Sequence, residues 1–112
     1  LLTPWMQIEA RIKAAAKADF VIAFYNPVSR KRVSQLAKAK KILLETFPSL
    51  TPVILARNLG RAEESVTHVS LIDLRVEMAD MLTVIIVGNS QTRRLEKMEF
   101  TTIYTPRGYL VD

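Results

Sequence analysis

Residues 19–27 read DFVIAFYNP, and the fold class follows from them. Phe20 to Phe24 is a short unbroken apolar run, the length of a strand buried on both faces. It stops at Tyr25-Asn26-Pro27. Proline cannot donate to a ladder, and it pushes the residue before it out of helical backbone. An asparagine in that place bonds neighbouring main chain. A buried strand therefore delivers a phenol, an amide and a fixed turn to one edge of a sheet. In open α/β sheets, ligands bind beyond the carboxyl ends of the strands. The plainer alternative is that Tyr25-Asn26-Pro27 only turns the chain.

Upstream, Thr3-Pro4 opens a helix, with Thr3 as cap and Pro4 at the first helical position. Trp5, Ile8, Ile12 and Ala15 or Ala16 recur at helical spacing, which predicts a helix over residues 4–17 packed on the sheet. Trp5 is expected in that packing rather than stacked on a ligand. Downstream, Ser29 caps a second helix with the stripe Val33, Leu36, Ala37, Leu43, Leu44 and Phe47, and Pro48 stops it. Val53 to Ala56 is the next buried strand. Strand, helix and strand together predict a right-handed crossover between parallel strands. The second strand ends in the tight turn Arg57-Asn58-Leu59-Gly60-Arg61, placed by that topology beside Tyr25-Asn26.

Glu63 to Val69 alternates loosely and predicts a further strand, parallel or antiparallel. His68 within it is expected to be a satisfied or exposed histidine rather than a catalyst. Ser70-Leu71-Ile72-Asp73 has capping-box spacing and predicts a short helix over residues 71–78. Met81 to Val87 is the third buried strand, ending at Gly88-Asn89-Ser90. Gly88 allows a close backbone approach or a positive φ. Phe100 to Thr105 is a last strand, closed by Pro106-Arg107-Gly108-Tyr109.

The 112 residues fit one domain and suffice for a core without staples. Cysteine is absent and His68 is the single histidine, so neither a disulfide framework nor a multi-histidine metal site is available within the chain. No apolar run approaches the roughly 18 residues of a membrane span. No secretory signal pattern is seen, and a cytoplasmic setting is expected. Leu1-Leu2 in place of an initiator Met suggests a piece of a longer protein or a matured chain. The formal net charge is +5. Six of the sixteen Lys and Arg lie between Arg30 and Lys41, and the ten that remain face eleven acids, so the basic excess is local. Such a segment attracts phosphates or carboxylates, or is a solvated helix face.

The three glycines are widely separated, which excludes a P-loop and a dinucleotide fingerprint. No GxSxG elbow, metal-ligand spacing or paired carboxylates are present. Aromatic residues are dispersed, unlike those of an RNA-binding sheet. Physical chemistry alone thus predicts a small α/β domain with a polar sheet edge.

Four ordered motifs go further. DFVIAFYNPVSRKR, PVILARNLGR, DMLTVIIVGNSQTRR and IYTPRGY resemble the carboxyl-terminal half of the precorrin-3B C(17)-methyltransferases, cobalamin-pathway enzymes of the tetrapyrrole methyltransferase family. LLTPWMQIEARI resembles the segment joining the two halves there. The resemblance covers essentially the whole chain. It implies that residues 1–112 form one α/β domain of a two-domain enzyme, with a mixed sheet of about five strands flanked by helices. By the same resemblance, the Gly-Pro-Gly loop and most of the cofactor pocket are expected in an amino-terminal half absent from these 112 residues.

The resemblance also implies that S-adenosylmethionine lies between the domains. The methyl group then passes to a corrin precursor, precorrin-3B or cobalt-factor III, at C-17 with ring contraction. Cofactor contacts carried over by position are Tyr25, Asn26, Ala56, Arg57, Asn58, Leu82 and Thr83, mainly through main chain. Arg57, Arg61, Arg93 and Arg94 are the candidates for the substrate's carboxylates. The resemblance further implies a homodimer, without membrane or nucleic-acid partners. The alternative class is a non-enzymatic module that binds nucleic acid through the Arg30–Lys41 face, with steep salt dependence. A third is an interaction domain that pairs through its cleft face.

Overall fold

Apolar spacing dictates most of the elements found. A computed structural model of the chain describes residues 4–25, 33–97 and 100–104. In order these are α1 (Trp5–Lys17), β1 (Ile22–Tyr25), α2 (Val33–Thr46), β2 (Pro52–Arg57), β3 (Ser65–Ser70), β4 (Thr83–Val87), β5 (Arg93–Lys97) and β6 (Phe100–Tyr104). Where a short helix is expected over 71–78, two single 3-10 turns stand instead, Leu71–Asp73 and Val76–Met78. Ser70 makes no side-chain cap there. Pro4 stands at the N-cap of α1, with no side-chain cap, in place of Thr3, and the expected Ser29 cap, Asn26-Pro27 and the Pro106–Tyr109 closure lie outside the described residues.

The sheet order is β1-β4-β2-β3, and every pairing is antiparallel. β1 and β2 run in the same direction, as the strand–helix–strand unit predicts. They are not neighbours, because β4 is inserted between them with the opposite direction. β5 and β6 form a separate antiparallel ribbon. The α/β class holds; among the described residues four strands form the sheet and two the ribbon, where a mixed sheet of about five is expected. Periodicity marks which strands are apolar, but not which of them lies between two others.

Alternation decides the core. Val53 and Leu55 of β2 and Ile85 and Val87 of β4 share one face by register, and all four are buried. Ile12 and Ala16 of α1 and Leu36, Ala39, Ile42 and Leu43 of α2 join the same cluster. Both helices therefore cover one face. The opposite face carries Ala23, Tyr25, Ile54, Ile86 and Val84, which are half-buried or exposed. This corrects the expectation that β1 is buried on both sides. β1 is an edge strand, and Phe20 and Val21 ahead of it are 63% and 43% exposed. Trp5 sits at the margin of the core, with Lys38 Nζ of α2 5.8 Å from its ring centroid, so α1 leans on α2 as well as on the sheet.

The end of α1 is locked by a small network. Asp19 adopts φ 62°, and the N–H groups of Asp19 and Phe20 donate to the carbonyls of Ala16 and Ala15, the pattern of a Schellman cap. Aspartate tolerates this left-handed backbone better than most residues. Its carboxylate accepts from the Ser90 N–H at 2.9 Å and from the Ser90 hydroxyl, and its carbonyl accepts from Asn89 Nδ2 at 2.8 Å. The VGNS motif thus ties the end of β4 to the end of α1. Gly88 is required for a close approach: a Cβ there would lie 2.6 Å from Thr92 Oγ1 and 2.7 Å from Thr92 Cβ. Gly88→Ala is expected to lower stability by about 1–3 kcal/mol through this overpacking. A thermal melt unchanged in that variant would contradict the packing described.

Candidate functional site

The antiparallel insertion of β4 decides where the rim residues meet. Tyr25 pairs with Val84, Val84 with Ala56, and Ala56 with Val66. The carboxyl ends of β1 and β2 therefore share one rim with the start of β4. They are two strand spacings apart, roughly 10 Å. Leu82 and Thr83, at the beginning of a strand, therefore stand on the same rim as Tyr25, Ala56, Arg57 and Asn58. Asn26 lies outside the described residues.

Side chains divide between the two faces. Tyr25, Val84, Ala56 and Val66 form a row on the open face, and Tyr25 is 71% exposed. Ala56 is the smallest of the row. Arg57 and Thr83 point to the helical face. Among the described residues, five of the ten exposed large hydrophobics, Tyr25, Leu59, Val66, Met81 and Leu82, gather at this rim.

The turn beyond β2 is shaped by two left-handed residues, Asn58 at φ 52° and Gly60 at φ 76°. Asn58 N–H donates to the Leu82 carbonyl at 3.1 Å, which joins the turn to β4. Its side-chain amide donates to the Glu63 carbonyl at 3.2 Å, and its carbonyl accepts from Arg61 N–H at 2.9 Å. The Asn58 side chain is thus spent on the turn.

Asp80 is the organising residue that the sequence analysis leaves out. Its Oδ1 accepts from Leu82 N–H at 2.9 Å and from the Thr83 hydroxyl at 2.8 Å. Its Oδ2 accepts from Arg57 Nη2 at 2.5 Å and Nε at 3.1 Å. Asp80 N–H donates in turn to Thr83 Oγ1. Thr83 is 1% exposed, so its side chain faces Asp80 and not a ligand. The Asp-x-x-Thr spacing at Asp80 was the available signal, since Asp commonly bonds main chain two residues on. The Thr83 hydroxyl, then Leu82 N–H and the Arg57 guanidinium, hold the Asp80 carboxyl below its ordinary value.

The basic residues do not act as one group. Arg57 and Arg61 stand at this rim. Arg93 stands at the other end of β4, roughly 13 Å along the strand, where its Nη1 donates to the Ser90 and Thr92 carbonyls at 3.0 and 3.1 Å. Arg93 thus stands apart from Arg57, because the loop after Gly88 doubles back on the far rim. The side chain of Arg94 lies outside the described portion. In the basic segment, Lys40 Nζ donates to the Ile72 and Leu74 carbonyls at 2.8 and 2.7 Å, and Lys38 lies over Trp5. Lys40 thus ties α2 to the segment after β3, and Lys38 covers Trp5. Among the described residues, no cluster suited to a metal ion occurs, and no helix is long and apolar enough to cross a membrane.

No protein-family model matches the chain. Curated relatives do. The chain is 45% identical over 108 residues to a cobalt-factor III methyltransferase of Priestia megaterium, covering 96% of this chain and 19% of that protein. It is 40% identical over 109 residues to a precorrin-3B C(17)-methyltransferase of a Sinorhizobium species, covering 96% and 43%. Among solved structures, the methyltransferase CobJ matches with a TM-score of 0.83 and 38% identity, covering 93% of this chain and 42% of that one. The chain thus spans less than half the length of these relatives.

The Asp19 carboxyl is also held low, first by the Ser90 hydroxyl and then by Ser90 N–H. A carboxyl lowered in the fold contributes stability above its unfolded pKa, and loses it as pH falls through the folded value. The urea midpoint is therefore expected to hold down to about pH 4 and to drop below it. The drop should be shallower in Asp80→Asn. An equally steep drop in that variant would contradict the Asp80 contacts.

Proposed function

The chain is a homologue of part of the cobalt-factor III and precorrin-3B C(17)-methyltransferases, and from that homology we propose that it supplies one domain of such an enzyme. Near-complete coverage of this chain by relatives of that name carries the proposal. Their names imply a methyl donor. The donor proposed is S-adenosylmethionine, and the substrate is a corrin precursor methylated at C-17. A second, amino-terminal domain supplies the remainder of the cofactor pocket, and the protein works as a cytoplasmic homodimer.

The rim suits these ligands chemically. Exposed Tyr25 and Leu82 offer apolar surface to a nucleoside, and the turn at Gly60 has open space around it. Ala56, Arg57, Asn58, Leu82 and Thr83 would meet the donor through main-chain carbonyls, which can accept a second bond, since the N–H groups of Asn58, Leu82 and Thr83 and the side chains of Asn58 and Thr83 are already engaged. When bound, S-adenosylmethionine supplies an electrophilic methyl on sulfonium sulfur. The chain's own work is to bind and orient. A flat macrocycle edged with carboxylates matches an apolar collar beside Arg57 and Arg61. Placement of this kind lowers a barrier by roughly 7–11 kcal/mol in favourable cases.

The direct test incubates the full-length protein with donor and corrin precursor and follows the product by mass. Gain of one methyl group at C-17 is expected, and an unchanged precursor overturns the proposal. Arg61→Ala is expected to weaken tetrapyrrole binding about tenfold, the worth of one charge-assisted contact. Unaltered affinity would remove Arg61 from the substrate site. The 112 residues alone are expected to bind S-adenosylmethionine weakly and not to turn over; calorimetry giving micromolar affinity would contradict this.

A further inference from the structure

Asp80 makes two kinds of contact, one with each oxygen. Oδ1 gathers the Leu82 N–H and the Thr83 hydroxyl, so it sets the main chain where β4 begins. Oδ2 takes two guanidinium N–H groups of Arg57, so it sets the cation at the end of β2. The two side chains are 45% and 41% exposed. An exposed ion pair adds little stability. Yet the carboxylate is shared among four donors on two strands, which is a geometry suited to placement.

We infer that Asp80 is the positioning residue of this rim. Through Leu82 and Thr83 it presents the main chain on which the donor rests, and through Arg57 it presents a cation to a substrate carboxylate. This rests on the methyltransferase reading. Arg57 does not swing free to meet an anion. Its Nε and Nη2 are committed to Asp80, so Nη1 is the nitrogen left to face a ligand carboxylate. The two functions separate by oxygen and therefore by variant. Asp80→Asn keeps a carbonyl oxygen for Leu82 N–H but removes the charge that orients Arg57. Thr83→Val keeps shape and removes the hydroxyl on the donor side.

The experiment uses the full-length protein with two probes in binding titrations, S-adenosylmethionine and a polycarboxylated porphyrin. Asp80→Asn is expected to weaken porphyrin binding about tenfold while changing donor affinity less than about twofold. Thr83→Val is expected to show the reverse. In an Arg57→Ala background, Asp80→Asn should add nothing to the porphyrin effect, since coupled residues are not additive. A role in folding alone would shift both probes together. That result, additive effects in the Arg57→Ala background, or no effect in either variant would overturn the inference while leaving the methyltransferase reading intact. A parent protein that binds neither probe overturns both, and the two failures are thereby told apart.

Discussion

The antiparallel seat of β4 between β1 and β2 is the constraint on which the rest depends. A strand–helix–strand unit alone would place two carboxyl ends side by side. Inserting a reversed strand brings a third segment, Leu82-Thr83, to the same rim and separates the two ends by one strand. Strand starts and strand ends present different main-chain polarity. Three segments with alternating direction therefore line one edge, where the Leu82 and Asn58 N–H groups are taken up within the rim itself. The same insertion sends Gly88–Thr92 to the opposite rim, where those residues serve the fold.

Each rim is closed by an aspartate that reaches across elements. On the far rim, Asp19 ends α1 in a left-handed conformation and accepts from Ser90. On the near rim, Asp80 accepts from Leu82, Thr83 and Arg57. Neither carboxylate is buried deeply, so neither carries a large desolvation cost. Both convert flexible loop into defined geometry by satisfying main-chain N–H groups at strand ends, where the ladder no longer does. The apolar core beneath, from Val53 and Leu55 to Ile85 and Val87, supplies the rigidity against which these loops are set.

Much of this was legible beforehand, for identifiable reasons. α1, α2, β2 and β4 follow from apolar spacing, and the Arg57–Arg61 turn follows from Asn58 and Gly60, both of which adopt positive φ. Strand order was not legible, because Ile54 and Ile86 look alike whether a strand is central or not. β1 reads as doubly buried since Phe20 to Phe24 is unbroken, but an edge strand with one open face also tolerates such a run. β5, Arg-Arg-Leu-Glu-Lys, has no alternation to betray it. At the rim, residue positions were legible and their partners were not. Arg57 and Arg93 share a charge, and only the chain path shows that they stand at opposite ends of β4. Asp80 was overlooked because its contacts are with its own neighbours and with a residue on another strand.

Nuclear Overhauser contacts from β4 test the strand order most directly. Cross-strand contacts from the Val84 main chain to both Tyr25 and Ala56 are expected. Contacts joining Tyr25 to Ala56 directly, or reaching from Val84 to only one of them, would dissolve the three-segment rim and the site built on it.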